Sequence, residues 1–427
     1  MRKKWKGYFI VLLILILVLT FFYIRVYMAE KLSNSAKEPS KKEIPYGVGI
    51  NIHFTGAPLD INLIKDAGFN IVRKDIFWES IEKRQGVYDF ENSGYDKLIN
   101  NLIESGIRPY LILNYSNKLY EEQVSVITPE GREAFGRFVN EVTLRYKNKG
   151  IIWEIWNEPN IGFWEPKPNF DEYTQLVKIS SRIIKENDPN SFIVAPALAG
   201  INENSLNWLE GILDRGVLDY IDAISVHPYR SERPETVSND YKLLKKLLGK
   251  YTKKVVPIIS GEWGYSTAEG WYGLVLSEDK QASYMIRMML INQLNNIPIS
   301  IWYDWKNDGL DLSNGEHNFG IRDNDVKISK KAYDAINLYN HLLDKYSFNR
   351  NIELANTNDY FFEFKSDSST KIFIYWTIDE EHKVNLPVKK IKGEILTMYG
   401  DEIGKYDSEK NPIIYFSNNP RYIIVDS

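Results

Sequence analysis

Short apolar runs alternate with helical patterns eight times between residues 47 and 343, and this alternation constrains the fold most strongly. Runs rich in β-branched and aromatic residues predict strands, whereas apolar residues spaced three or four apart predict helices. The predicted strands are 47–54, 69–76, 108–113, 151–155, 192–195, 221–226, 255–260 and 299–303, and the predicted helices are 59–67, 95–104, 129–146, 170–185, 205–213, 241–248, 279–294 and 329–343. Eight such units predict an α/β protein with a (β/α)8 TIM barrel.

An open, doubly wound sheet is the alternative arrangement for alternating strands and helices. Nucleotide-binding sheets of that kind carry a glycine-rich phosphate loop after the first strand. No such loop follows residues 47–54, which counts against that version. We therefore assign residues 45–347 to a barrel.

The pattern changes in the last part of the chain. Strand-like runs at 360–364, 371–377, 393–399, 413–416 and 422–425 are separated by Ser, Asp, Asn and Gly turns, with no helical period. The segment is long enough for a domain of its own. It predicts a small β-sandwich domain over residues 348–427.

The N-terminus carries a membrane signal. Basic residues at positions 2, 3, 4 and 6 precede an apolar run from Tyr8 to Ile24. The run is at the lower limit for a spanning helix, and the basic residues place the N-terminus in the cytoplasm. A cleaved signal peptide is the alternative, but residues 25–32 offer no small-x-small cleavage site. We expect a single-pass anchor at 1–30, a linker at 31–44 and an extracellular barrel.

Composition excludes several classes of protein. The chain has 53 basic and 57 acidic residues, so its net charge of −4 argues against nucleic-acid binding. It has no cysteine, which excludes disulfides, thiolate metal sites and a cysteine nucleophile. Its 11 Trp and 28 Tyr suit stacking on flat ligand faces. A monomer without a cofactor is expected.

Polar and aromatic residues collect where the predicted strands end, and the chemistry of such barrels sits at that C-terminal face. The strand-end residues are Arg73, Asn114, Asn157, Glu158, His227, Tyr229, Glu262, Trp263, Trp302, Asp304 and Trp305, and His53 and His317 fall at or just beyond strand ends. Two carboxylates among tryptophans suit glycosidic bond cleavage, since one must be protonated and the other ionised.

Two other readings of these residues are disfavoured. Glu154 has the same strand parity as Glu158 but lies deeper, so we expect it to be structural. Metal catalysis is disfavoured because the sequence has no His-x-x-x-His pattern and no clustered carboxylates.

Three motifs carry a family resemblance: Trp156-Asn157-Glu158-Pro159, His227-Pro228-Tyr229 and Gly261-Glu262-Trp263 resemble those of glycoside hydrolase clan A. Within the clan, residues 302–309 and 316–320 and the C-terminal domain are similar to family 39. That family includes β-xylosidases, α-iduronidases and bacterial exopolysaccharide endoglycosidases.

The resemblance implies roles for individual residues. Glu158 would be the general acid/base and Glu262 the nucleophile. Asn157 would bond the sugar 2-hydroxyl, while Arg73 and Tyr229 would hydrogen-bond the nucleophile. The further predicted substrate contacts are His53, His227, Trp263, Trp302, Trp305, Glu316 and His317.

We therefore expect a retaining hydrolase that cleaves an extracellular polysaccharide by double displacement. Because tryptophans are spread over several strand ends, we expect endo-action in an open cleft. An exo-acting β-xylosidase-like enzyme, a non-catalytic carbohydrate-binding barrel and a transglycosylase are the alternatives. We also expect the negative charge of Glu262 to raise the pKa of Glu158.

Overall fold

A closed barrel of eight parallel strands occupies most of the computed structural model, which describes residues 46–55 and 57–426. The strands are Gly47–Asn51 (β1), Ile71–Phe77 (β2), Arg108–Asn114 (β3), Ile152–Ile155 (β4), Phe192–Ala199 (β5), Ala223–His227 (β6), Ile258–Trp263 (β7) and Ile299–Trp302 (β8). They pair in chain order, and β8 closes onto β1. The predicted barrel is confirmed.

Helices connect and surround these strands. They are Pro58–Asp66 (α1), Trp78–Ile81 (α2), Tyr95–Glu104 (α3), Pro129–Arg145 (α4), Phe170–Asn187 (α5), Glu203–Leu213 (α6), Val237–Tyr251 (α7), Glu278–Leu294 (α8) and Lys331–Leu343 (α9). The strands are buried on both faces, between the barrel interior and this outer layer, which explains their continuous apolar runs. Side chains of Thr128, Asn169, Asn202 and Ser277 accept backbone N–H groups at the starts of α4, α5, α6 and α8.

The fifth strand is longer than predicted, because Pro196 does not end it. The pairing register between β5 and β6 shifts between Val194 and Ala197. Proline has no backbone N–H to donate, and it is tolerated in a sheet at such an irregularity. The strand therefore continues past Pro196 to Ala199.

The C-terminal part is a domain of antiparallel strands. They are Tyr346–Asn351 (β9), Asp359–Ser366 (β10), Lys371–Thr377 (β11), His382–Asn385 (β12), Lys392–Thr397 (β13), Glu402–Asp407 (β14), Ile413–Phe416 (β15) and Arg421–Val425 (β16). Six of them form a sheet in the order β14-β13-β16-β11-β10-β9, and β12 pairs with β15. Strands β9, β12 and β14 were not predicted. The predicted boundary between residues 347 and 348 stays a prediction.

Side-chain alternation explains how this domain packs. Phe373 and Tyr375 point to one face of β11, where they join a small apolar cluster with residues of β15 such as Phe416. Ile374 and Trp376 point to the opposite face and belong to the same apolar core as the barrel. The six-stranded sheet therefore lies between the barrel and the two-stranded sheet.

Within the residues that the structure describes, no helix has the length and apolar character needed to cross a membrane. The predicted anchor at 1–30 and the predicted linker at 31–44 both precede residue 46 and lie outside the described part of the chain.

Candidate active site

Glu158 and Glu262 face each other at the C-terminal end of the barrel. One carboxylate oxygen of each lies within 4.8 Å of the other. Glu262 is the penultimate residue of β7, whereas Glu158 lies three positions beyond the end of β4. Both line a cavity of about 560 Å³. The two strand ends therefore bring together carboxyl groups that are distant in sequence.

The backbone that presents Glu158 is locally unfavourable. Trp156 and Glu158 have φ angles of 66° and 49°, and such left-handed conformations cost on the order of 1–3 kcal/mol each. Backbone hydrogen bonds from Trp156 to Leu113 and from Glu158 to Ala197 hold the segment to the neighbouring strands. The barrel thus imposes a conformation that the residues would not adopt on their own.

Arg73 lies at the centre of the polar network and is buried. Its guanidinium donates to Glu154 at 2.8 Å, to Glu262 at 2.6 Å and to the Asn157 side-chain oxygen at 2.8 Å. Glu154 also accepts from the Tyr110 hydroxyl at 2.7 Å. Its buried carboxylate is therefore hydrogen-bonded by both Arg73 and Tyr110. One cation therefore balances two carboxylates, of which only Glu262 reaches the cavity.

His227 connects Arg73 to Glu158. Its Nε2 lies 3.3 Å from the Arg73 guanidinium, which can only donate, so Nε2 accepts and Nδ1 carries the hydrogen. Nδ1 then donates to the Oε1 atom of Glu158 at 2.9 Å. Burial lowers the pKa of His227 to about 4, which keeps the ring neutral. His227 therefore orients Glu158 and leaves its Oε2 atom available for a proton.

Burial raises the pKa of Glu158 to about 7, while the positive charge of Arg73 opposes this increase. The charge of Glu262, which we expected to be the cause, is not among the causes of the shift. Arg73 already neutralises Glu262 at short distance, so the charge of Glu262 has little effect on Glu158. Desolvation of Glu158 is what keeps it protonated near neutrality.

Glu262 accepts two hydrogen bonds that suit a carboxylate. Arg73 donates to its Oε2 atom, and the Tyr229 hydroxyl donates to its Oε1 atom at 2.9 Å. Burial raises the pKa of Tyr229 far above its ordinary value, so the hydroxyl keeps its proton. The two carboxyl groups thus have different surroundings: Glu158 is desolvated and accepts from a neutral imidazole, whereas Glu262 accepts from a cation and a hydroxyl.

The tryptophans that the sequence suggested as sugar contacts do not reach the cavity. Trp263, Trp302 and Trp305 are at most 1% exposed. Trp305 donates to Asp60 at 2.7 Å, and Trp302 donates to the backbone oxygen of Phe319 at 3.3 Å. None of the three rings lines the cavity, and that they bind substrate stays a prediction.

Other aromatic residues line the cavity instead. They are Phe77, Tyr115, Phe163, Tyr229, Trp271, Tyr272, Tyr303 and Phe319. Tyr115 and Phe163 stack with ring centroids 5.7 Å apart, and Tyr303 immediately follows β8. Sequence reasoning missed Phe77, Tyr115 and Tyr303, although each lies at or directly after a strand end.

The remaining predicted contacts divide into two groups. His53 and Glu316 line the cavity, with His53 Nδ1 2.6 Å from Asp308 and Glu316 accepting from the Tyr303 hydroxyl at 3.1 Å. His317 is not among the lining residues and packs against Gly309. That His317 contacts substrate stays a prediction.

Asn114 supports the site from below. Its side-chain oxygen accepts from the backbone N–H of Asn157 at 2.9 Å, and its amide donates to Asp75 at 2.6 Å.

Two groups in the described part of the chain have ligating atoms close enough for a metal ion: Glu158 with His227 and Glu262, and His53 with Asp304 and Asp308. The first group already contacts the Arg73 cation, which would repel a metal ion. In the second group, the His53 imidazole is hydrogen-bonded to the Asp308 carboxylate.

A (β/α)8 barrel with one glutamate after β4, one at the end of β7 and Arg73 between them defines a glycoside hydrolase of clan A. The model of the family described as cellulase (glycosyl hydrolase family 5) matches residues 49–309, which is more than half of the chain. The chain belongs to this family of enzymes that act on glycosides.

Relatives and solved structures agree with this assignment. The chain is 27% identical over 115 residues to β-glucosidase 47 of Arabidopsis thaliana and 24% identical over 193 residues to a β-xylosidase of Geobacillus stearothermophilus. These matches cover 26% and 41% of the chain, but only 22% and 38% of those relatives. A family 39 glycoside hydrolase from Bacteroides cellulosilyticus WH2 has the same fold, with a TM-score of 0.77, 23% identity and coverage of 91% of this chain and 82% of that one.

Proposed function

We propose that the protein is a retaining, endo-acting glycoside hydrolase that cleaves an extracellular polysaccharide. The observation that carries the proposal is the pair Glu158 and Glu262, whose nearest oxygens lie within 4.8 Å. Retaining enzymes have carboxyl groups about 5–5.5 Å apart, whereas inverting enzymes leave room for a water molecule at about 6.5–9.5 Å.

The surroundings of the two carboxyl groups suit the first half of a double displacement. Glu158 is protonated near neutrality and can donate its proton to the glycosidic oxygen as that bond breaks. Glu262, paired with Arg73 and Tyr229, attacks the anomeric carbon and forms a covalent glycosyl-enzyme. Asn157 lies beside both groups, where it can bond the sugar 2-hydroxyl.

The second half of the double displacement requires Glu158 to act as a base. Once Glu262 carries the sugar, its negative charge is gone and Arg73 is less completely neutralised. The positive field of Arg73 then lowers the pKa of Glu158, as it already does in the free protein. The deprotonated Glu158 can remove a proton from the water that releases the sugar.

Proton NMR of the first product tests the mechanism. Hydrolysis with retained anomeric configuration is expected from protein incubated with a panel of β-1,4-linked xylan, glucan and mixed exopolysaccharides. Glu262→Gln should reduce turnover by several orders of magnitude. An inverted product, or full activity of Glu262→Gln, would contradict the double displacement.

Aromatic rings on both sides of the carboxyl pair support endo-action. Phe163 follows β4, whereas Trp271 and Tyr272 follow β7, and all three line the cavity. Phe163 and Tyr272 are 41% and 61% exposed, so sugars can reach them. Sugar rings on either side of the cleaved linkage would each find a stacking surface.

An exo-acting β-xylosidase is the second candidate, because one of the similar proteins is a β-xylosidase. Turnover of p-nitrophenyl β-xyloside and of xylo-oligosaccharides separates the two activities. An endo-enzyme should cleave the oligosaccharides far more efficiently and release products longer than one sugar. Equal efficiency on the aryl xyloside, with xylose as the sole product, would establish the exo-enzyme instead.

A further inference from the structure

A second cavity, of about 760 Å³, adjoins the catalytic cavity beside the ends of β2 and β3. Phe77 and Tyr115 line both cavities, and their ring centroids are 6.1 Å apart. The Tyr115 hydroxyl accepts from the Asn157 side chain at 3.2 Å. The shared aromatic wall therefore runs from the catalytic residues directly into the second cavity.

The lining of the second cavity suits a neutral, hydroxyl-rich ligand. Ser80, Ser116 and Gln123 contribute hydroxyl and amide groups. Its charged lining residues come in both signs, namely Glu79, Glu82, Lys83, Lys118 and Glu122. Within the described part of the chain, the Gln123 side-chain amide makes no hydrogen bond and is exposed. Such a surface favours sugar hydroxyls over a phosphate or another strongly charged group.

The cavity is also held in shape by buried contacts. Glu82 accepts from the Trp78 indole at 2.6 Å and from the Tyr120 hydroxyl at 2.7 Å, and its backbone oxygen accepts from Asn117 at 2.7 Å. The bonds from Tyr120 and Asn117 tie the segment after β2 to the segment after β3. A preformed cavity binds its ligand without the cost of ordering two loops.

We propose that the second cavity binds further sugar units of the polysaccharide, so that the glycan crosses the Phe77–Tyr115 wall on its way to the cleavage point. This inference rests on the proposed function. Binding energy from these remote units would hold the cleaved linkage against Glu158 and Glu262. Shortened substrates would then lose turnover rate as well as affinity.

Ser80→Trp tests the proposal, since an indole at this half-buried lining position would obstruct part of the cavity. With the longest oligosaccharide of the series that the wild-type protein cleaves, kcat/KM should fall about tenfold or more, while turnover of the matching aryl monoglycoside changes by less than about twofold. Gln123→Ala, a milder change, should reduce kcat/KM for the long substrate in the same selective way. Ser368→Trp, in an exposed turn of the C-terminal domain, is the control.

The outcomes are distinguishable. Selective loss on the long substrate in both variants supports the subsite. Equal effects on long and short substrates, or no effect of either variant when Ser80→Trp melts like the wild-type protein, would overturn it. Failure of the wild-type protein to cleave any glycan would overturn the proposed function itself, and the subsite with it.

Discussion

The carboxyl group of Glu158 owes its protonation to burial rather than to a neighbouring charge. Its pKa in the folded protein, about 7, exceeds the ordinary value of about 4.3 for a glutamate. The folded state therefore binds more protons than the unfolded state between these values. Stability falls as the pH rises through this range and stays reduced above about pH 7.

Glu158→Gln removes this ionisation and should stabilise the protein at pH 8 by on the order of 1–3 kcal/mol, with no comparable gain at pH 4. Urea denaturation at both pH values measures the difference. Glu133→Gln, at a side chain that is 79% exposed, is the control and should have little effect at either pH. Equal stabilisation by Glu158→Gln at pH 4 and pH 8 would show that burial does not perturb Glu158.

Ionisation of the Glu158 carboxyl group should also limit the rate of glycoside hydrolysis at high pH. Because the acid form of Glu158 disappears as the pH rises through about 7, kcat/KM should decline on the alkaline side of that value. Substrates with a good leaving group need little protonation, so their glycosylation should be less sensitive to this ionisation. An activity that rises steadily between pH 6 and pH 9 on natural glycans would contradict the assignment of Glu158 as the acid.

Among the elements, helix α8 links the barrel to the C-terminal domain. Arg287 in α8 forms a buried, bidentate ion pair with Glu235, with hydrogen bonds of 2.6 and 2.7 Å. Glu235 also accepts from the Trp376 indole of β11 at 2.9 Å, and Arg287 donates to the backbone oxygen of Asn418 at 3.4 Å. Glu235 lies in the loop after β6, the same loop that carries Tyr229. The C-terminal domain therefore braces a loop of the active site.

Arg287→Met should destabilise the protein by about 3–5 kcal/mol, because it leaves Glu235 buried without its cation. Arg137→Met is the matched control, since Arg137 pairs with Glu133 on an exposed helix face and such pairs contribute about 0.3–0.5 kcal/mol. Chemical denaturation measures both. Replacing Glu235 by Leu in the Arg287→Met background should recover much of the loss, and failure to recover it would point to packing instead of the unpaired charge.

At the scale of the whole molecule, the barrel and the six-stranded sheet share one apolar core.

The N-terminal apolar run, from Tyr8 to Ile24, remains the basis for the proposal of a membrane anchor. A barrel tethered outside the cell would meet polymers at the cell surface, which agrees with the proposed endo-action on a polysaccharide.

Deletion of residues 1–30 should move the protein from the membrane fraction to the soluble fraction, because about twenty apolar residues suffice for anchoring. Fractionation of cells that express the full chain and the shortened chain measures this. The barrel of the shortened chain should keep the melting temperature of the full chain in detergent. A mature N-terminus near Lys37 would identify a cleaved signal peptide and contradict the anchor.

Sequence alone determined the barrel and the positions of its polar residues. Strand–helix alternation is local, and the C-terminal ends of parallel strands in a barrel meet at one face. Arg73, Glu158 and Glu262 could therefore be placed together although they are far apart in the chain. The C-terminal strands were predicted less completely, because β9, β12 and β14 are short or mostly exposed and lack a strong apolar pattern.

Only the tertiary structure decided which side chains reach the cavity. A tryptophan at a strand end is exposed or buried according to the segments that pack over it. Asp60 in helix α1 binds the Trp305 indole, and Phe319 in the segment between β8 and α9 binds the Trp302 indole. Tyr303 and Phe77, which stand at the ends of β8 and β2, line the cavity. The pKa of Glu158 depends on burial by residues from several strands, and burial of this kind is a property of the assembled barrel rather than of any segment.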